Sequence, residues 1–139
     1  MKLTSRSEYA LLALIYLARQ PAETYIRVET IAQQQGIPAK FLEQILLSLK
    51  RGNYVNSVKG HNGGYRLAKL PATITLAEII RALDGPLAPT DSVSKNFYRP
   101  TPIEKEGGLV KVFEEVRDCM LDILENTTLA DVMEPGQKD

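Results

Sequence analysis

A chain of 139 residues with 44% apolar and 24% charged side chains is long enough for one small domain with an extension, and too apolar to stay disordered. Its formal net charge of zero argues at first against a polyanionic partner, yet residues 1–70 carry ten Lys and Arg against four Glu, and residues 71–139 carry seven against thirteen Asp and Glu. A basic half is thus joined to an acidic half, and the single cysteine, Cys119, excludes an internal disulfide and fits a reducing compartment.

The first residues lack the small-residue cleavage site of a signal peptide, and the apolar run 10–18 is too short to span a bilayer, so no membrane association and a cytoplasmic location are expected. Ser5-Arg6-Ser7-Glu8 fits a capping box in which Ser5 caps the first turn and Glu8 reaches back to its N–H. The helix it opens, over 9–19, is apolar nearly all round and should be buried on most sides, with some surface free to meet a second subunit. Pro21 ends it. A short bridge with Tyr25 and Ile26 leads to a second helix over 28–35, with Val28, Ile31 and Ala32 inward and Gly36 as its closing residue.

Pro38, with fixed φ and no N–H, suits the first turn of a third helix that runs to Arg51. Phe41, Leu42, Ile45, Leu46 and Leu49 recur at steps of three and four, which gathers them on one face. The opposite face carries Lys40, Glu43, Gln44, Leu47, Ser48, Lys50 and Arg51. Gln pairs bidentately with adenine and Glu accepts from the cytosine amino group, so Glu43 and Gln44 can read base edges. Lys40, Lys50 and Arg51 can neutralise phosphates on either side, and Lys40 is equally placed for a base. Alone, this stretch also describes an ordinary amphipathic surface helix. A short helix, a glycine turn and a longer helix with a polar reading face together form a helix-turn-helix.

After Gly52 the period changes. Residues 54–58 and 65–67 read as short strands joined by Lys59-Gly60-His61-Asn62-Gly63-Gly64, a hairpin wing. The glycines permit positive φ, and Lys59, His61 and Asn62 can reach phosphate or the minor groove. His61 reads equally well as a solvated turn residue, and a lone histidine is no metal site.

Pro71 breaks the chain, and Thr75-Leu76-Ala77-Glu78 is a second capping box. It opens a helix with Leu76, Ile79, Ile80 and Leu83 on one face, closed by Gly85-Pro86. Residues 87–102 show no periodicity, and a loop of that length in a small domain is functional or disordered. Thr101-Pro102-Ile103-Glu104 offers a third cap, opening a helix to about 125 that Gly107 and Gly108 weaken by roughly 1 kcal/mol each. Leu109, Val112, Phe113, Val116, Met120, Ile123 and Leu124 form its stripe, with Cys119 inside it as a buried small hydrophobe rather than a redox sensor. Such a stripe after a complete small domain needs a surface, and a second copy supplies one. The expected dimer interface is therefore Leu109, Val112, Phe113, Val116, Cys119, Met120 and Ile123. Thr128-Leu129-Ala130-Asp131 caps a last short turn with Val132 and Met133, and the tail from Glu134 reads as frayed.

Several of these motifs occur together in one known family. Leu3-Thr4-Ser5 with Tyr9-Ala10, Phe41-Leu42-Glu43-Gln44, Val58-Lys59-Gly60, Gly63-Gly64-Tyr65-Arg66-Leu67, the segment 75–85 and Thr128-Leu129-Ala130-Asp131 carry the resemblance. Over nearly its whole length the chain resembles the Rrf2 family of bacterial winged-helix transcription regulators. The resemblance implies a homodimer joined through the long helix and bound to a pseudo-palindromic double-stranded operator; repression is the expected action and activation the alternative that the sequence leaves open. It implies that Lys40, Gln44 and Lys59 contact the duplex and that Glu43 tunes sequence preference. Members that hold an iron–sulfur cluster carry three cysteines in the loop before the long helix, often with a histidine. In register, those positions fall on Ser92, Tyr98 and Glu104, with Gly107 at the histidine. The resemblance thus implies DNA binding without a three-cysteine cluster, and no cofactor is expected. An effector at the loop would be a small molecule or a protein. A [2Fe–2S] sensor is the alternative, and it would have to use Cys119 with non-cysteine ligands such as Glu8 or Glu104.

The expected fold is mainly α with a small β-hairpin wing: a winged helix-turn-helix domain plus a long C-terminal dimerisation helix. DNA binding is expected over 1–86, an effector or linker loop over 87–103, and dimerisation over 104–139. A winged-helix module that docks a protein is a second reading, disfavoured because the reading face has only Leu47 for an apolar anchor. No nucleophile–base pairing, phosphate loop or metal-ligand cluster points to an enzyme.

Overall fold

The computed structural model describes residues 1–134, so the tail expected to fray beyond Glu134 lies outside the described residues. Three helices come first: α1 (Ser5–Arg19), α2 (Val28–Gln35) and α3 (Ala39–Arg51). Ala10, Ala13, Leu14 and Leu17 of α1 meet Ile31 and Ala32 of α2 and Leu42, Ile45, Leu46 and Leu49 of α3 in one apolar core. Gly36 ends α2 in the left-handed region at φ 66°, as a glycine can without steric cost. Pro38 sits one residue earlier than expected, as the N-cap rather than inside the first turn of α3.

The cap of α1 differs from the expectation. Thr4, not Ser5, is the N-cap: its hydroxyl accepts from Ser7 N–H and its own N–H donates to Ser7 Oγ at 3.1 Å. The reason lies far away in sequence. Asp84 accepts from Thr4 N–H at 3.2 Å and from Ser7 Oγ at 2.6 Å, fixing the start of the helix at those two residues.

Strands β1 (Val55–Val58) and β2 (Gly64–Leu67) pair antiparallel, with Val55 opposite Leu67 and Val58 opposite Gly64. The bridge before α2 is more than a linker. Ile26 and Tyr65 exchange two backbone hydrogen bonds of 2.8 Å, so Ile26 acts as a one-residue third strand that ties the wing to the helices. Helix α4 (Leu76–Asp84) starts at the expected Thr75–Glu78 capping box. It buries Ala77 and Ile80 with Leu87 and with Leu121 of α5 (Gly107–Glu125) in a second apolar cluster.

The long helix starts later than expected. Residues Pro102–Lys105 form a separate 3-10 turn, and Gly107 and Gly108 open α5 rather than interrupt it. The loop before it is folded down: Leu87, Ala88, Val93 and Ser94 are buried, and Arg117 Nη1 donates to the Val93 carbonyl at 2.9 Å. The last helix, α6 (Leu129–Val132), begins at a Thr128–Asp131 capping box. Thr127 accepts from Leu76 N–H and Leu129 donates to Ile74, which seats the Leu129 side chain in the core of the first three helices. Among the described residues, no helix is long and apolar enough to cross a membrane.

Candidate nucleic-acid interface

With the apolar face of α3 in the core, its helical period turns Lys40, Glu43, Gln44, Leu47, Lys50 and Arg51 outward, and all six are exposed. Ser48 lies half-buried at the edge, donating to the Gln44 carbonyl at 3.3 Å and accepting from Arg6 Nη2 at 3.1 Å. Arg6 reaches it from the first turn of α1, which Tyr9 holds against α3 by an edge-to-face contact with Phe41, 5.6 Å between ring centres. An open hollow between the two helices is lined by Arg6, Phe41, Gln44, Leu47, Ser48 and Arg51.

The wing flanks the other side. Burial pushes the Tyr65 phenol above its ordinary value, and the Glu43 carboxylate adds to the rise. Lys59, His61 and Asn62 stand exposed at the tip. Arg66 is committed elsewhere, stacked over the Tyr25 ring at 4.5 Å and paired with Glu23 at 3.3 Å. Arg27, the N-cap of α2, borders the same hollows as Val58, Gly60, His61 and Asn62.

Arg6 and Arg27 were not singled out in the sequence. A signal for them exists: each cation sits at the N-terminal end of a helix, where the macrodipole disfavours positive charge. A local conflict of that kind commonly marks function. Among the described residues, the ion pairs are Arg66–Glu23, Arg81–Glu125, Lys95–Asp118 and Arg117–Asp118. Arg6, Arg27, Lys40, Lys50, Arg51 and Lys59 take part in none of them, which leaves their heads available to an external anion, although Arg6 also feels the nearby Asp84 carboxylate.

Asp84 underlies this face. Burial pushes its carboxyl up, but the hydrogen bonds from Ser7 and Thr4, helped by Arg6, outweigh that and hold it below its ordinary value. A depressed carboxylate contributes stability that is fully present above the unfolded value, near pH 4, and is lost as pH falls through the folded value. Asp84→Asn should therefore flatten the acid side of the stability–pH curve and change its slope little near neutrality, as measured by thermal unfolding across pH.

The loop positions at which the resemblance would put cysteines hold oxygen donors engaged with one another. Ser92 Oγ accepts from Thr101 at 2.6 Å, and the Tyr98 hydroxyl donates to Glu104. Iron–sulfur clusters are held by soft thiolates, so these hydroxyls and this carboxylate do not fit a [2Fe–2S] group. Glu8 is exposed on α1, and among the described residues no group of three or more His, Cys, Asp and Glu could hold a metal ion. Cys119 is exposed rather than buried, because α5 turns Leu121 to the rest of the chain and Cys119 away from it. The outward face also shows Leu109, Val112, Val116 and Ile123, at 47%, 52%, 40% and 59% exposure, while Phe113 and Met120 are partly covered.

A family model described as Rrf2, iron-dependent transcriptional regulator, matches residues 3–135. An rrf2-like HTH-type transcriptional regulator of Rhodobacter capsulatus is 36% identical over 140 residues, spanning 96% of this chain and 93% of its own. The HTH-type regulator NsrR of Bacillus licheniformis is 33% identical over 135 residues, spanning 96% and 92%. The solved structure of CymR, the global cysteine regulator of B. subtilis, superimposes with a TM-score of 0.78 at 28% identity, over 99% of each chain.

Proposed function

The chain belongs to the Rrf2 family of transcriptional regulators rather than to a family of enzymes, and on that premise we propose that it is a cytoplasmic, sequence-specific repressor acting as a homodimer on a pseudo-palindromic operator. The observation that carries this reading is the outer face of α3. It is exposed, polar and cationic, set between the Arg6 turn and the wing, with its charges unspent inside the protein. We assign DNA binding to residues 1–86, effector response to 87–103 and dimerisation to 104–139.

In this reading Gln44 pairs with a base edge in the major groove, Lys50, Arg51, Arg6 and Arg27 meet phosphates, and Lys40 meets a phosphate or a base. Lys59, His61 and Asn62 reach phosphate or the minor groove from the wing. Glu43 beside phosphates rejects wrong sequences more than it attracts right ones. Ser48 acts through Arg6, holding the guanidinium toward the duplex. The outward face of α5 supports the dimer, because Leu109, Val112, Val116, Cys119 and Ile123 lie along it exposed among the described residues. An open hollow of about 230 Å³ between α4, the loop and α5 is lined by Arg81, Leu87, Lys95, Phe97, Leu121 and Glu125, and the effector assigned to the loop, a small molecule or a protein, would meet this surface.

Two substitutions separate base reading from charge. Gln44→Ala should cost about 1–3 kcal/mol on the preferred site and much less on random duplex. Lys59→Ala should weaken both alike and lower the salt slope by about one. Titrations of operator and random duplex over a range of salt measure both. Equal losses on the two duplexes for Gln44→Ala would rule out its base-reading role.

A further inference from the structure

We propose that Leu47 is a specificity-determining residue that reads the C5-methyl group of a thymine in the major groove. The proposal rests on the DNA-binding reading above and adds a base identity to it. Leu47 is 46% exposed and belongs to neither apolar cluster, so about half of an aliphatic side chain stands on the reading face outside the core. Nor is it at the edge of the reading face. It follows Gln44 by three residues and Lys40 by seven and precedes Arg51 by four, so it stands in the middle of a row that those polar side chains form. The hollow that it helps to line is completed by Arg6, Phe41, Gln44, Ser48 and Arg51.

An aliphatic side chain in that place has few uses against DNA. The major-groove edges present hydrogen-bond donors and acceptors, and the thymine methyl is the one alkyl group among them, cytosine offering only a C5–H at the same place. A leucine pressed against a donor or acceptor would strip water from a polar atom without replacing its hydrogen bond, which is unfavourable. Against a thymine, it buries one methyl group and its own exposed surface together. Gln44, one turn earlier on the same face, favours adenine through N6 and N7. Side chains three apart on a helix have Cβ atoms about 5–6 Å apart, and base pairs rise about 3.4 Å. The adenine that Gln44 reads and the thymine that Leu47 meets therefore lie within one or two base pairs, and each half-site carries an A·T-rich step at that position.

The test changes one methyl group. Duplexes that the full-length protein selects from a random pool are remade with each thymine replaced singly by deoxyuridine, and affinities are read by fluorescence anisotropy. One thymine per half-site should lose about four-fold in affinity, the value of a buried methyl group, and the other thymines should lose nothing. Leu47→Ala should bind thymine and deoxyuridine duplexes equally at that position, while its affinity for random duplex and its salt slope stay those of the parent. Leu47 is exposed, so the variant should keep the parent circular dichroism spectrum. A parent protein that binds selected duplexes tightly but ignores every deoxyuridine overturns the proposal, as does a Leu47→Ala variant with the parent's sensitivity. A parent protein that binds no duplex overturns the DNA-binding reading itself, and the proposal with it.

Discussion

Val116→Asp should leave a folded chain that is monomeric at micromolar concentration and has lost most of its operator affinity. In the single chain Val116 is 40% exposed, on the side of α5 away from the cluster that Leu121 enters. A substitution there is a surface change to the monomer, worth within about 0.5 kcal/mol of stability. In a dimer built on the row Val112, Val116, Cys119 and Ile123, the same carboxylate faces its own copy in a desolvated interface. That costs several kcal/mol before relaxation, on the order of 3–5 for an unpaired buried charge. The effect on DNA follows from the linkage of half-sites: tethering two reading helices makes the second contact intramolecular, a gain of about 10²–10⁴-fold that the monomer forfeits. Light scattering and an operator titration on the same samples measure both consequences. A wild-type monomer at micromolar concentration, or full operator affinity in a variant shown to be monomeric, would sink the dimer reading.

What could be read from the sequence was what neighbouring residues decide among themselves. The apolar period over 41–49, the αL glycine at Gly36, the capping box at Thr75 and the glycine-rich hairpin tip are local patterns, and the structure places them as expected. What was misread depends on residues distant in the chain. Thr4 takes the N-cap from Ser5 because Asp84, 80 positions away, holds it there. Ile26 reads as linker because its partner, Tyr65, lies across the fold. Leu129 reads as part of a terminal turn, yet it completes the core of the first three helices, its N–H donating to Ile74 while the neighbouring Thr127 accepts from Leu76. The candidate site follows the same division. The outward row of α3 is legible from helical spacing, whereas Arg6 joins it only through the packing of Tyr9 on Phe41 and the contact with Ser48.

The wing offers the second large effect: Gly64→Ala should detach it. Gly64 opens β2 at φ +148°, a backbone region that side chains rarely adopt. A Cβ there would sit 2.3 Å from the Ile26 carbonyl oxygen and 2.4 Å from its carbon, and those atoms are backbone with no rotamer to yield. Relief requires Ile26 to move, and Ile26 is the residue that exchanges two 2.8 Å hydrogen bonds with Tyr65. Losing both bonds costs about 0.5–1.5 kcal/mol each, and the backbone strain adds about 1–3 kcal/mol if it is kept instead. A destabilisation of about 2–4 kcal/mol is expected. Because Lys59, His61 and Asn62 ride on this hairpin, the folded fraction should also bind both specific and random duplex more weakly. Gly107→Ala is the control: nothing lies within 4 Å of its Cβ position and its φ is ordinary, so it should be neutral or stabilising by about 0.4–1 kcal/mol. Chemical denaturation of the two variants side by side measures the difference. If Gly64→Ala matches Gly107→Ala in stability and in affinity, the bridge from Ile26 to Tyr65 does not hold the wing.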